Sequence, residues 1–246
     1  HLTRNSLFLT FKNYVRSCGF DLVRYSSKEM GIDPYSDMRL LLDKRSHQPT
    51  IFDIGANVGE SVDSLKSFFP NSIVHSFEPN FSSYKLLSLH CKGYSNVYTY
   101  NQGLGSSVSD LIFYSNEYPF LSSFLEGGRY SYGKILNQSL LNIQSIDSIL
   151  YKSNEISPNI IKIDVQGFEL EVLRGSSRLL QSKSVDLIHI ELTYSEMYVN
   201  QPSFLEIINF LLSHEYVFVG IYRQHFQDNV LSWADALFAS KYLLKK

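Results

Sequence analysis

The sequence predicts an α/β fold built on a mostly parallel sheet. Short apolar runs rich in Ile, Val and Phe alternate with helical patterns from residue 50 onward, which is the signature of successive βαβ units. Several of those runs end in a carboxylate or a glycine turn, as strands do at the ligand-facing edge of an open parallel sheet. The length of 246 residues suits one domain and leaves no room for a second independent core.

Residues 5–17 read as a helix whose Leu7, Leu9, Phe11, Tyr14 and Val15 form a broad apolar face expected to cap the core. "GIDPYSD" is a turn cluster and "DMRLLLDKR" a short helix, so residues 1–45 are expected to be a helical extension packed on a domain of residues 46–246. Then come strand "TIFDIG", helix "VGESVDSLKSFF" ending before Pro70, strand "SIVHSFEP", helix "FSSYKLLSLHCK" and strand "NVYTYNQG". In the middle, "DLIFYSNE" reads as a strand and "LSSFLEGGRYSYG" as a loop suited to a lid. "NQSLLNIQSIDSIL" follows as an edge strand and short helix. Order returns with strand "NIIKIDV", helix "FELEVLRGSSRLLQ", strand "VDLIHIEL", helix "PSFLEIINFLLSHE", and strands "YVFVGIYR" and "ADALFAS". About a dozen residues without helical pattern join those last two, which makes them an antiparallel pair.

Composition excludes several classes. Apolar residues at 44% and charged residues at 19% rule out general disorder. A net charge of −2 offers no general basic surface for duplex nucleic acid, with a local patch left open, and no apolar run is long enough for a membrane span or signal-peptide core. Cys18 and Cys91 lack ligand spacing, which argues against a zinc site or disulfide scaffold and fits a reducing cytoplasm. The chain starts at His1, so it is expected to be a trimmed piece, and a homo-oligomer stays open.

"IFDIGANVGES" carries the first chemistry. Asp53 ends an apolar strand, and Gly55 and Gly59 bracket a tight turn where backbone can approach a ligand. A dinucleotide fingerprint needs a glycine where Asn57 stands, so the pyrophosphate cradle is incomplete. Asp53 would repel a diphosphate but accept hydrogen bonds from an ammonium group, directly or through water. Glu78 ends the next strand, where a carboxylate takes both hydroxyls of a ribose. An amino-acid moiety and a ribose on adjacent strand ends describe S-adenosyl-L-methionine. NAD is the weaker reading, and Glu78 could instead cap the next helix with Pro79 and Asn80.

The second constellation is acidic. Asp164 ends the strand "NIIKIDV", with Gly167 at the turn and Glu169 and Glu171 placed to complement a helix N-terminus. His189 and Glu191 are two apart and share one strand face, Glu191 at the ligand end; His189 in an apolar strand also reads as a core residue. If the final strand inserts antiparallel beside the fifth, Asp235 comes towards Glu191 and Asp164, and the three carboxylates could hold a proton or a divalent ion. Asp235 could equally cap a turn after Trp233.

"FDIGANVGES", "FEPN", "NQGLGS", "IKIDVQGFELEVLRG", "IHIEL" and "ADALFA", in that order over residues 50–240, resemble the FkbM-type methyltransferases. The resemblance implies a Rossmann-like class I methyltransferase fold, a seven-stranded sheet with an antiparallel last strand and helices on both faces, and S-adenosyl-L-methionine as cofactor. By position, Asp53, Gly55, Asn57 and Gly59 would surround the methionine part, Glu78 with Pro79 the ribose, and Gly103 with Leu104 the adenine side. Asp164 and Glu191 match acidic positions near the acceptor. Gln166 departs from the "DVEG" of many members.

The implied activity is O-methylation of a hydroxyl on a glycan, glycolipid, or glycosylated or polyketide-like metabolite. Asp164 or Glu191 is the expected base, with His189 in reserve. A divalent metal on Asp164, Glu191 and Asp235 is possible but not required, and a non-catalytic binding module on the same fold is the reading from another class. The tyrosine-rich loop 114–132 suits stacking on sugar faces or plain packing. The first forty or so residues lie outside the recognisable core and are expected to help set acceptor choice.

Overall fold

The computed structural model describes residues 4–18, 30–43, 48–153 and 157–245. Helix α1 (Arg4–Ser17) forms where expected. Its Leu9, Phe11 and Tyr14 nevertheless stand 56–66% exposed, so these side chains do not cap the core. The element that packs on the sheet from this region is α2 (Pro34–Leu42), which starts inside the expected turn cluster. Asp33 caps it by accepting from the Ser36 N–H at 2.9 Å, and Pro34 presets the first helical residue. Residues 44–47, where the expected helix runs out, lie outside the described residues.

The predicted alternation follows as β1 (Thr50–Ile54), α3 (Glu60–Phe68), β2 (Ile73–Phe77), α4 (Phe81–His90) and β3 (Val97–Tyr100). Here the chain departs from expectation, because residues 96–103 are not one strand. Asn101 Nδ2 donates to the carbonyls of Glu78 and Pro79, while Gln102 Nε2 donates to Asn142 O at 2.8 Å. Those bonds turn the chain into β4 (Gly103–Leu104), which joins a second sheet with β5 (Ser109–Asn116) and β6 (Ile135–Gln144). The order of that sheet is β4-β6-β5, so β6 is its centre and not an edge.

After α5 (Ile146–Ser153) come β7 (Ile160–Ile163), α6 (Glu169–Arg174), α7 (Ser177–Gln181), β8 (Leu187–Thr193), α8 (Phe204–Ser213), β9 (Tyr216–Gln227), β10 (Val230–Ser240) and α9 (Lys241–Leu244). The single helix expected over 168–181 is broken at Gly175. A Cβ there would lie 1.9 Å from Gly105 O, so the small sheet's backbone packs directly on the break. The Asp147 carboxylate then caps the second piece by accepting from the N–H groups of Arg178 and Leu179 at 2.9 and 3.0 Å. Strands β9 and β10 run on until only Asp228 and Asn229 separate them. Both residues have positive φ, 48° and 64°, as a two-residue type I′ hairpin requires.

The main sheet has the order β3-β2-β1-β7-β8-β10-β9, parallel from β3 to β8, with β10 antiparallel to both its neighbours. Strands β2, β1, β7 and β8 are buried on both faces, as the parallel part of a sheet demands, while the edge strands β3 and β9 leave Tyr98 and Phe226 exposed. Phe52, Ile54, Ile161, Ile163, Ile188 and Ile190 build the core on one face. Ile51, Ile160, Leu187 and Leu237 meet Tyr35 and Met38 of α2 on the other. No helix among the described residues is long and apolar enough to cross a membrane.

Gly175→Ala drives a methyl group into the Gly105 carbonyl and is expected to cost about 1–3 kcal/mol, as overpacking of a tight contact does. A lower urea midpoint with an unchanged m-value checks it.

Candidate active site

Strands β1, β2, β7 and β8 point their C-terminal ends into an open cavity of about 550 Å3. Parallel sheets bind ligands along this edge. The turn after β1 forms one wall. Gly55 has φ 81° and no room for a side chain, because a Cβ would lie 1.8 Å from Asp164 O. Gly59 has φ 103° at the start of α3.

Between them Asn57, at φ 46°, donates its N–H to Glu78 Oε2 at 2.8 Å, and Asn80 donates its own to Oε1 at 2.7 Å. Helix α4 is capped by the Asn80 side chain, so Glu78 is not its cap. Burial pushes the Glu78 pKa up to about 7, partly offset by those two N–H groups. Pro79, Gln102 and Leu104 continue this wall. Gly103 is packed behind it, where a Cβ would meet the Phe124 ring at 2.6 Å.

Register places Ser76, Asp53, Lys162 and His189 side by side across β2, β1, β7 and β8. Asp53 is fully buried and outside the cavity wall. It accepts from Ser61 Oγ at 2.7 Å and Ser76 Oγ at 3.3 Å, and the ammonium beside it is that of Lys162, at 3.6 Å. Lys162 Nζ also reaches Asp164 Oδ2 at 3.3 Å. Burial favours the neutral amine, but Asp164 and Asp53 outweigh it and hold the lysine pKa above its usual range. His189 too is buried beneath the cavity and not in its wall, with Nε2 3.5 Å from Asp235 Oδ2 and the Tyr35 ring against its edge.

Asp164 and Glu191 are brought together at the cavity by a residue that the motif reading treated only as a departure. Gln166 Nε2 donates to Asp164 Oδ1 and to Glu191 Oε2, both at 2.9 Å, and its Oε1 accepts from Tyr198 Oη at 2.7 Å. The amide thus spends both its hydrogens on the two carboxylates. Its backbone sits at φ 57°, in a turn held by Glu169 Oε1, which accepts from the N–H groups of Val165 and Gly167 at 3.1 and 3.2 Å.

Glu169 therefore secures this loop rather than serving only the helix dipole, and burial lifts its pKa to about 7. Glu191 is raised well above the usual carboxylate range, first by burial and then by Asp164, Glu169 and Asp235. Asp235 pairs with Glu191 in register. Burial would raise the Asp235 carboxyl, but His189, Lys162 and Arg223 win and lower it. Asp164, Glu191 and Asp235 form no metal-binding group, nor does any trio of such side chains among the described residues. Asp164 is bonded by the Lys162 ammonium and the Gln166 amide, Glu191 by the same amide, and Asp235 lies by His189.

A profile of the methyltransferase FkbM domain matches residues 53–218. The chain belongs to this family. Hexuronic acid methyltransferase AglP of Haloferax volcanii is 29% identical to this chain over 156 residues, 62% of this chain and 60% of that protein. An FkbM methyltransferase from Methylobacillus flagellatus KT superposes with a TM-score of 0.56 at 21% identity, over 80% of this chain and 44% of that one, which shows the shared fold. The chain thus spans about 60% of the length of the curated relative.

Within the FkbM frame, the residues missed in the sequence are Lys162, the bridging role of Gln166, and Tyr198. Lys162 had a signal, a lone lysine in the apolar run "IIKIDV", since a lysine in a buried strand needs partners. Tyr198 had none. It reaches Gln166 from a loop 32 residues away.

Two outcomes are expected. Asp53→Ala leaves Lys162 short of a buried partner and two serine hydroxyls without an acceptor, so it lowers stability by on the order of 3 kcal/mol, read from chemical denaturation. Glu78 and Glu169 bind their proton more tightly folded than unfolded. Their contribution to stability is therefore full below pH 4.5 and fades as pH rises through about 7. Glu169→Gln keeps an oxygen for both loop N–H groups and is expected to flatten that slope in thermal melts.

Proposed function

We propose that this chain is an S-adenosyl-L-methionine-dependent O-methyltransferase acting on a sugar hydroxyl of a glycan or glycosylated metabolite. The observation that carries the reading is one cavity joining the glycine turn and Glu78 to the Asp164–Gln166–Glu191 cluster. Family membership supports the methyl-transfer chemistry. The Haloferax relative, named for a hexuronic acid, supports a sugar as acceptor.

The cavity fits the cofactor on its own evidence. Asn57 Oδ1 is buried without a hydrogen-bond partner, an acceptor suited to an ammonium group. Glu78 keeps lone pairs for ribose hydroxyls after taking two backbone N–H groups, and Pro79 and Leu104 give apolar walls for a base. When bound, S-adenosyl-L-methionine supplies an electrophilic methyl group on a sulfonium. The protein's share is to position the acceptor and remove its proton. Held geometry contributes up to ~7–11 kcal/mol, and a base a further ~10²–10⁴-fold.

Asp164 takes the proton, because its carboxylate is 35% exposed at the cavity and holds Lys162 close by. Glu191, buried and with raised proton affinity, fixes Gln166 and the floor beneath the acceptor. His189, outside the wall, supports Asp235 rather than meeting the substrate. In the metal-assisted alternative, Asp164 and Glu191 are already bonded to Lys162 and Gln166, and Asp235 lies by His189.

Asp164→Asn is expected to lower turnover ~10²–10⁴-fold with donor affinity unchanged. Donor affinity is read by calorimetry with S-adenosylhomocysteine, and turnover by labelled methyl transfer to a panel of glycans. Absence of donor binding in the unaltered protein, or full turnover by Asp164→Asn, overturns the proposal.

A further inference from the structure

The end of the cavity away from Glu78 is built by an irregularity in the β9–β10 hairpin. Asp235 pairs with Tyr222 but Trp233 pairs with His225, so two residues of β9, Arg223 and Gln224, face the single Ala234. Arg223 sits at φ 46°, a conformation that side-chain-bearing residues adopt at a cost. Bulges of this kind re-aim side chains beside functional sites. The extra residue shifts the alternation, so His225 falls on the same face as Tyr222 and stacks on Trp233 at 4.9 Å and 14°. Arg223, His225 and Trp233 all line the cavity.

The guanidinium lies over the Tyr35 ring at 5.7 Å and meets no carboxylate at ion-pair distance among the described residues. The cavity's other cation, Lys162, is already committed to Asp53 and Asp164. A strained bulge that holds an uncommitted cation beside a flat aromatic pair is suited to an anionic group attached to a ring with an apolar face.

We infer that Arg223, His225 and Trp233 form the acceptor subsite and that it takes a sugar bearing a carboxylate, a uronic acid. The ring lies against the His225–Trp233 pair while the carboxylate meets Arg223. A single cation without a carboxylate partner among the described residues of the cavity, close to Asp164, Glu191 and Asp235, suits a monoanion better than a doubly charged phosphate. This rests on the transferase reading above and adds to it the charge of the acceptor and the residues that select it.

Trp233 is the only tryptophan of the chain, so its fluorescence reports on this subsite alone. The test loads the protein with S-adenosylhomocysteine and titrates methyl glucuronide and methyl glucoside. Calorimetry gives the affinities, and Trp233 emission gives the location. The glucuronide is expected to bind at least ~10-fold more tightly, with a saturable emission change, since charge-assisted hydrogen bonds are about twice as strong as neutral ones. Arg223→Gln is expected to erase the preference and Arg223→Lys to keep part of it, both with unchanged S-adenosylhomocysteine affinity. Equal affinities, binding without an emission change, or a preference that survives Arg223→Gln overturns the subsite. Failure of S-adenosylhomocysteine to bind overturns the transferase reading instead.

Discussion

A lysine ammonium inside the central strand of the sheet is the constraint around which the site is arranged. Lys162 lies in β7 between β1 and β8, and a charge there is tolerated only with carboxylates against it. Asp53 answers from β1, where full burial commits it to the interior. Asp164 answers from the strand end, where Lys162 Nζ lies 3.3 Å from its Oδ2 and holds one carboxylate in place at the cavity. Asp53 is therefore a support for the lysine, and the lysine a support for the carboxylate at the cavity.

The second layer of the site depends on bridging two acids with an uncharged amide. Asp164 and Glu191 would repel each other in a half-buried cluster, and the two N–H bonds of Gln166 hold them together without adding charge. A glutamate at 166 would add a third acid to the same cluster. Glutamine is thus a consistent choice for this chain, with Tyr198 fixing the amide's orientation and Ser123 Oγ bonding its backbone carbonyl at 2.7 Å. The small β4-β6-β5 sheet matters for the same reason: the segment after β5 brings Leu121 and Leu125 against Met197 and Tyr198, and Leu121, Met197 and Tyr198 form part of the cavity wall.

Most strands and helices of the main sheet were legible because their signals are local. Alternating apolar runs, glycine turns and caps such as Ser203 with Glu206 are written in neighbouring residues. The errors fall where distant contacts overrule local pattern. The helix over 168–181 breaks because the Gly105 backbone presses on Gly175, and the run 96–103 splits because Asn101 and Gln102 bond to residues far along the chain. The two-residue hairpin at Asp228 and Asn229 did carry a turn signal, in residues that tolerate positive φ.

By itself the sequence determined the order of the elements and the strand-end positions of Glu78, Asp164 and Glu191, because strand periodicity and turn chemistry depend on adjacent residues. It also marked Asn57 as the position where a pyrophosphate cradle fails. Only the tertiary structure decided that Asp53 faces Lys162, that Gln166 joins two carboxylates, and that a bulge pairs His225 with Trp233 and leaves Arg223 lining the same cavity. Those are pairings between side chains on different strands and loops, and they exist only once the sheet has brought its ends together.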